Sequence, residues 1–162
     1  MDLSMYNVPN SVKDKVRFYP FEDILHEIFK RGLPDVNFGT FIAEDMTFPF
    51  VHGQRFLRQR PWSGDPRFID HGPIRIQVFT YGPEAETEGF LLSEAVRVTL
   101  LEASLDRWHF PGVGSVLHIE MENEPSPSSD WASASGIVQF ADLPKETVRY
   151  ETTYNMTIRR PN

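Results

Sequence analysis

Five histidines are the chain's first candidates for metal or acid–base chemistry. His26-Glu27 begins like the helical zinc motif, in which two imidazoles one turn apart hold the metal. Lys30 stands where the second His belongs, so the pattern predicts a solvent-facing histidine instead. His52, His71, His109 and His118 share no metal-ligand spacing, and His118 falls on a Glu-bearing strand face where a surface pair is expected. Gly112-Val113-Gly114-Ser115 lacks the third glycine of a phosphate cradle and opens a strand, so it reads as a turn. No Gly-x-Ser-x-Gly elbow is present. Two acidic triplets, Glu84/Glu86/Glu88 and Glu120/Glu122/Glu124, could be imagined as paired acids. Residues two apart on a helix point away from each other, and on a strand they form a row of like charges, so solvated acidic faces are expected. These patterns together predict a non-enzyme with no cofactor and no metal.

Composition narrows the classes further. The chain has 162 residues, 40% hydrophobic and 13% aromatic, enough for one core and too short for two domains of ordinary size. Sixteen basic against 23 acidic residues give a net charge of −7, which argues against a general nucleic-acid binder needing a basic face. It leaves DNA possible as a passive neighbour. Zero cysteines remove disulfides, thiolate nucleophiles and Cys-based metal sites. No apolar run reaches the ~18 residues of a membrane span, and Met1 to Lys15 lack the apolar centre of a secretory signal. A soluble protein made in a cytoplasm is expected.

The elements that would position any site can be read along the chain. Residues 1–18 show little periodicity and read as an N-terminal arm ordered by a neighbour; residues 19–162 read as one domain. Phe21, Ile24, Leu25, Ile28 and Phe29 recur at helical spacing, with Glu22 and Asp23 at one end, Lys30 and Arg31 at the other, and Gly32 and Pro34 as the stop. Residues 37–57 read as two extended segments, the second running from Phe48 to Phe56. Residues 55–72 read as a long loop, and Ile74, Ile76 and Val78 as alternate positions of a strand. A helix follows from Gly82-Pro83 to about Ser104. Its apolar residues cover more than one face, which predicts burial on one side and a partner on the other. Trp108 to Gly114 reads as a linker, and Leu117, Ile119 and Met121 as the inward side of a strand whose outward side carries His118, Glu120 and Glu122. Residues 125–135 read as a loop, Ile137 to Phe140 as a short edge strand, and Val148 to Ile158 as the strongest strand, alternating for six steps. Runs of strands in place of strict βαβ alternation predict an α+β fold, a mainly antiparallel sheet with two helices on one face.

One local feature rises above this background. Between Val51 and Arg75 there are five arginines, Arg55, Arg58, Arg60, Arg67 and Arg75, against Asp65 and Asp70, inside an acidic chain. A cationic loop of this kind, with Trp62 in it, fits an acidic partner surface, including the Glu120, Glu122 and Glu124 row of an identical neighbour. A basic loop and an acidic strand on one small domain suit head-to-tail self-association, which closes into a ring where the rotation allows.

Several stretches then resemble the tail terminator (tail completion) proteins of long-tailed phages, particularly those of actinobacterial hosts. They are the first helix ending in Arg31-Gly32-Leu33-Pro34, the Gly72-Pro73 step into Ile74-Arg75-Ile76-Gln77-Val78-Phe79, and the helix ending near Val98-Thr99-Leu100-Leu101. The closing strand Val148 to Arg159 adds Arg149-Tyr150, Tyr154, Met156, Ile158 and Arg159 at the family's spacing. The resemblance covers roughly residues 20–160. It implies a virion protein of the tail and neck, assembled in the host cytoplasm, whose copies form a ring, usually a hexamer. Such a ring caps the tail tube, ends its polymerisation and meets the head–tail connector or stopper protein, with genomic DNA passing through the lumen. In that frame Glu120, Glu122 and Glu124 become an acidic lumen or partner face, and Arg55, Arg58, Arg60, Trp62 and Arg67 a contact to a neighbouring subunit or ring. Two alternatives stay open: another neck or tube ring protein, and a small enzyme with a dispersed Asp/Glu/His site.

Overall fold

The computed structural model describes residues 3–42, 46–57, 64–127 and 146–161. Along them run α1 (Asn10–Lys13), α2 (Phe21–Gly32), β1 (Asn37–Gly39), β2 (Phe50–Arg55), β3 (Ile69–Tyr81) and α3 (Ala85–Leu105). Then follow β4 (His109–Phe110), β5 (Gly114–Met121), β6 (Ser126–Pro127) and β7 (Thr147–Arg159). The strands make one sheet in the order β1-β2-β3-β7-β5-β4, and β6 pairs with β7 beyond the end of β5. Only the β1–β2 pairing among the described residues is parallel.

β3 and β5 both run antiparallel to β7, so they are parallel to each other, with α3 as the crossover and β7 inserted between them. This is a split β-α-β arrangement. The expected α+β architecture, a mainly antiparallel sheet with the long helices on one face, is therefore the one observed. The short α1 within the arm is an addition to it.

Periodicity explains how α2 meets the sheet. Phe21, Ile24, Leu25, Ile28 and Phe29 are at most 1% exposed and pack on Val51, Ile74, Ile76, Met156 and Ile158 in one core cluster. Burying each such side chain contributes about 1.5–3 kcal/mol. Pro20 precedes the first turn without a side-chain cap, and Glu22 and Asp23 face the positive end of the helix dipole. α3 supplies Leu92, Val96, Leu100 and Ala103 to the same cluster. It approaches β7 closely because position 89 is glycine: a Cβ there would stand 2.8 Å from the Tyr150 ring. Tyr150 Oη fastens this contact by donating to the Glu86 carbonyl (3.2 Å), and Thr80 Oγ1 ties the end of β3 to the start of α3 by donating to the Ala85 carbonyl (2.5 Å).

The structure corrects three boundaries and one strand face. The expected 55–72 loop is shorter, because β7 continues to Arg159 and draws Ile69–Gly72 into register with it. Pro73 is tolerated in β3, since it lies one residue past the last β2 pairing, where that side has no ladder bond to lose. Within β5 a register shift between Val116 and His118 turns Val116 and Ile119 inward, three residues apart, so Leu117 is not on the core face as strict alternation predicts. The expected linker after Trp108 contains β4, and the expected 125–135 loop opens with β6. The strand expected at Ile137 to Phe140 lies outside the described residues.

Candidate assembly surfaces

Arg55 stands at the end of β2, and its whole polar head is used inside the chain. Nη1 and Nη2 donate to the two Asp70 oxygens at 2.8 and 3.1 Å, Nη2 also to the His71 carbonyl (2.7 Å), and Nε to the Leu57 carbonyl (2.9 Å). The guanidinium lies 3.8 Å over the Phe21 ring, and the Arg55 backbone N–H donates to Glu22 Oε1 at 2.9 Å. The two side chains are 14% and 6% exposed. Gly72 leaves the room this requires: a Cβ there would meet the Leu57 carbonyl at 2.5 Å and Arg55 Nη2 at 2.8 Å. Within the chain, Arg55 thus clamps β2, β3 and the start of α2 together.

The other cationic residues divide. Arg67 is exposed and chelated by Asp65 within its own turn, with Nη2 2.7 Å from Oδ2. Hydrogen bonds from the Arg67 side chain and backbone hold the Asp65 carboxyl below its usual range. Arg75 lies on the sheet face away from the helices, 3.6 Å from Glu151. Arg58, Arg60 and Trp62 lie outside the described residues.

The acidic row is exposed. Glu120, with its side chain 70% exposed, sits 4.0 Å from His118 Nε2, the surface pair that the alternation predicts. Glu122 continues the ladder past β5 through its N–H to the Thr153 carbonyl (2.9 Å), and its carboxylate accepts from Asn155 Nδ2. Glu124 is exposed further along. His26 is exposed on α2, as its position on the polar face predicts.

A polar cluster that the sequence reading leaves unassigned occupies the same sheet face. Cross-strand register aligns His52, Gln77 and Glu151. Gln77 Nε2 donates to Glu151 Oε2 at 2.7 Å, with Arg149 Nη1 3.9 Å from the same oxygen. His52, Gln77 and Arg149 are at most 4% exposed. His52 Nε2 lies 3.2 Å from the Thr40 carbonyl, and burial pushes the imidazole below its ordinary pKa. Its signal in the sequence is the complementary polar side of two paired strands, Arg75 and Gln77 on β3 against Arg149 and Glu151 on β7. Beside it Ile42, Phe50 and Phe79 form a second, smaller apolar cluster.

Among the described residues, large apolar side chains are exposed on α3 and along the arm. On α3, Phe90, Leu91, Val98, Leu101 and Leu105 are 37–73% exposed, on the side opposite the core. In the arm every residue from Ser4 to Val12 is exposed, with Met5 at 80%. At the root of the arm Phe18, Tyr19, Phe56 and Leu57 line an open groove of about 490 Å³.

Taken by chemistry, these surfaces offer ion pairs, hydrogen bonds and apolar contact area, the means of docking. Among the described residues no three His, Asp or Glu side chains gather into a metal-ligand group, and no helix is long and apolar enough to cross a membrane. Compared with known proteins, the chain matches no family model and no curated protein.

Proposed function

We propose that the chain is a structural virion protein of the tail–neck region of a long-tailed phage. Its copies close into a ring, a hexamer, that caps the tail tube, stops its polymerisation and joins tail to head. The tail-tube protein and the connector or stopper protein are its partners, and genomic DNA is passive cargo through the lumen. The observation that carries this reading is the apolar outer side of α3, five large side chains standing in solvent on a single copy. Contiguous exposed apolar surface of this kind marks an interaction site. The closing-strand pattern from Arg149 to Arg159 supplies the family resemblance, and the exposed Glu120 and Glu124 suit a channel that repels DNA. Native mass across a concentration series, with negative-stain imaging, tests it. A species of six chain masses that forms rings and blocks further growth of tail tubes is the expected result. A chain that stays monomeric alone and leaves tube growth unchanged refutes it.

A further inference from the structure

The arm and the outer side of α3 are each incomplete, and their properties match. Leu91, Val98 and Leu105 repeat every seven residues with Leu101 between them, so they form one stripe along the helix. The helix carries Glu86, Glu88, Glu94 and Glu102 against the single Arg97, which Glu94 already engages. The arm's C-terminal half carries the opposite charge, Lys13, Lys15 and Arg17 against Asp14, with Asp2 the arm's other acidic residue. It also presents Met5, Tyr6, Val8 and Val12 to solvent, 42–80% exposed, and α1 buries no residue of its own. A segment that buries nothing in its own domain gains little from being ordered there.

We propose that the arm of one copy lies along the outer side of α3 of the next copy. Met5, Tyr6, Val8 and Val12 cover the Leu91–Leu105 stripe, and the basic residues from Lys13 to Arg17 meet Glu102 and its acidic neighbours. The contact is head-to-tail: each copy gives an arm and receives one, which propagates around a ring without a two-fold axis. It rests on the ring reading and names the surfaces that join its subunits.

The test uses the full chain and a variant lacking residues 1–17, compared by sedimentation across a concentration series. Removing the arm weakens self-association by about 100-fold or more while the melting curve stays close to that of the full chain. Leu105→Glu, at a side chain 73% exposed, does the same from the other side of the contact without touching the core. The absence of native cysteine allows a direct readout. A Val8→Cys chain mixed with a Val98→Cys chain gives a dimer with a short bis-maleimide linker, and neither variant crosslinks alone. An oligomer that survives both the truncation and Leu105→Glu overturns the arm contact and leaves the ring reading standing. A crosslink that forms only within a Val8→Cys/Val98→Cys double variant overturns it as well, by placing the arm on its own helix. A full chain monomeric at every concentration overturns the arm contact, and one that also leaves tube growth unchanged overturns the ring reading.

Discussion

Replacing Arg55 by Ala removes five interactions at once: two hydrogen bonds to Asp70, one each to the His71 and Leu57 carbonyls, and the stacking on Phe21. The larger effect is on what remains. Asp70, 6% exposed at its side chain, loses the bidentate pair with Arg55 and keeps the His71 N–H at 3.0 Å. Breaking a buried pair from one side costs about 3–5 kcal/mol, and the residual exposure of Arg55 places this one at about 3. For a domain of this size that lowers the melting temperature by roughly 6–12 °C. Differential scanning calorimetry of Arg55→Ala, Asp70→Asn and the double variant measures it. The double variant should lose about 2 kcal/mol less than the sum of the singles, because each single change already breaks the bonds the pair shares. A fully additive cycle, or an Arg55→Ala protein that melts within about 1 °C of the parent and loses only self-association, refutes the clamp and returns Arg55 to the surface.

The remaining expectations concern other links of the fold. Arg67→Ala should leave the urea midpoint unchanged, since its pair with Asp65 is at the surface. Gly89→Ala should destabilise by about 1–2 kcal/mol, the overpacking against Tyr150 exceeding the better helix propensity of alanine; a stabilised variant would show that α3 can retreat from β7. Burial raises the Tyr154 phenol to about 12 from 10.0, so the unfolded chain ionises first as pH rises. Stability is then fully present below pH 10 and falls by about 2–3 kcal/mol toward pH 12, a fall that Tyr154→Phe should abolish in alkaline urea titrations. His52 runs the opposite way. Its imidazole is held below 6.5, so the unfolded chain takes up a proton first as pH falls through that value, and stability drops at acid pH. His52→Gln should flatten that acid limb.

What could be read from the chain follows from the range of the interactions that decide each element. α2 is legible because its stripe, charged ends and stop signal all lie within one segment, and the same residues are buried in the structure. β7 is legible because it is half-covered and alternates, Tyr150, Tyr154, Met156 and Ile158 inward against Glu151, Asn155 and Thr157. The apolar outer side of α3 is visible for a related reason: apolar residues too numerous for one face must leave some outside. Ile69–Gly72 are not legible as strand, since what makes them one is the far end of β7, and the glycine and proline beside them signal a turn locally. The role of Arg55 is hidden for the same reason. Composition marks a cationic loop, but whether a given arginine faces out depends on Asp70 arriving beside it across a strand pairing. The His52–Gln77–Glu151 row needs three strands in register before it exists at all.

The position of β7 between β3 and β5 also bears on how the chain reaches this structure. His71 and Thr157, which meet through Nδ1 and Oγ1, are 86 residues apart, so the central ladder closes only after a long search. Until it does, β3 and β5 each present an open edge, and β3 exposes Ile74, Ile76 and Val78 beside it. The finished sheet hides these edges by placing its last-named strand at its centre. The hazard of wrong pairing is therefore confined to the interval before closure, when a second unfinished copy is the most available partner. Slow dilution and low concentration during refolding favour the correct strand, because its local concentration does not fall while that of the competitor does.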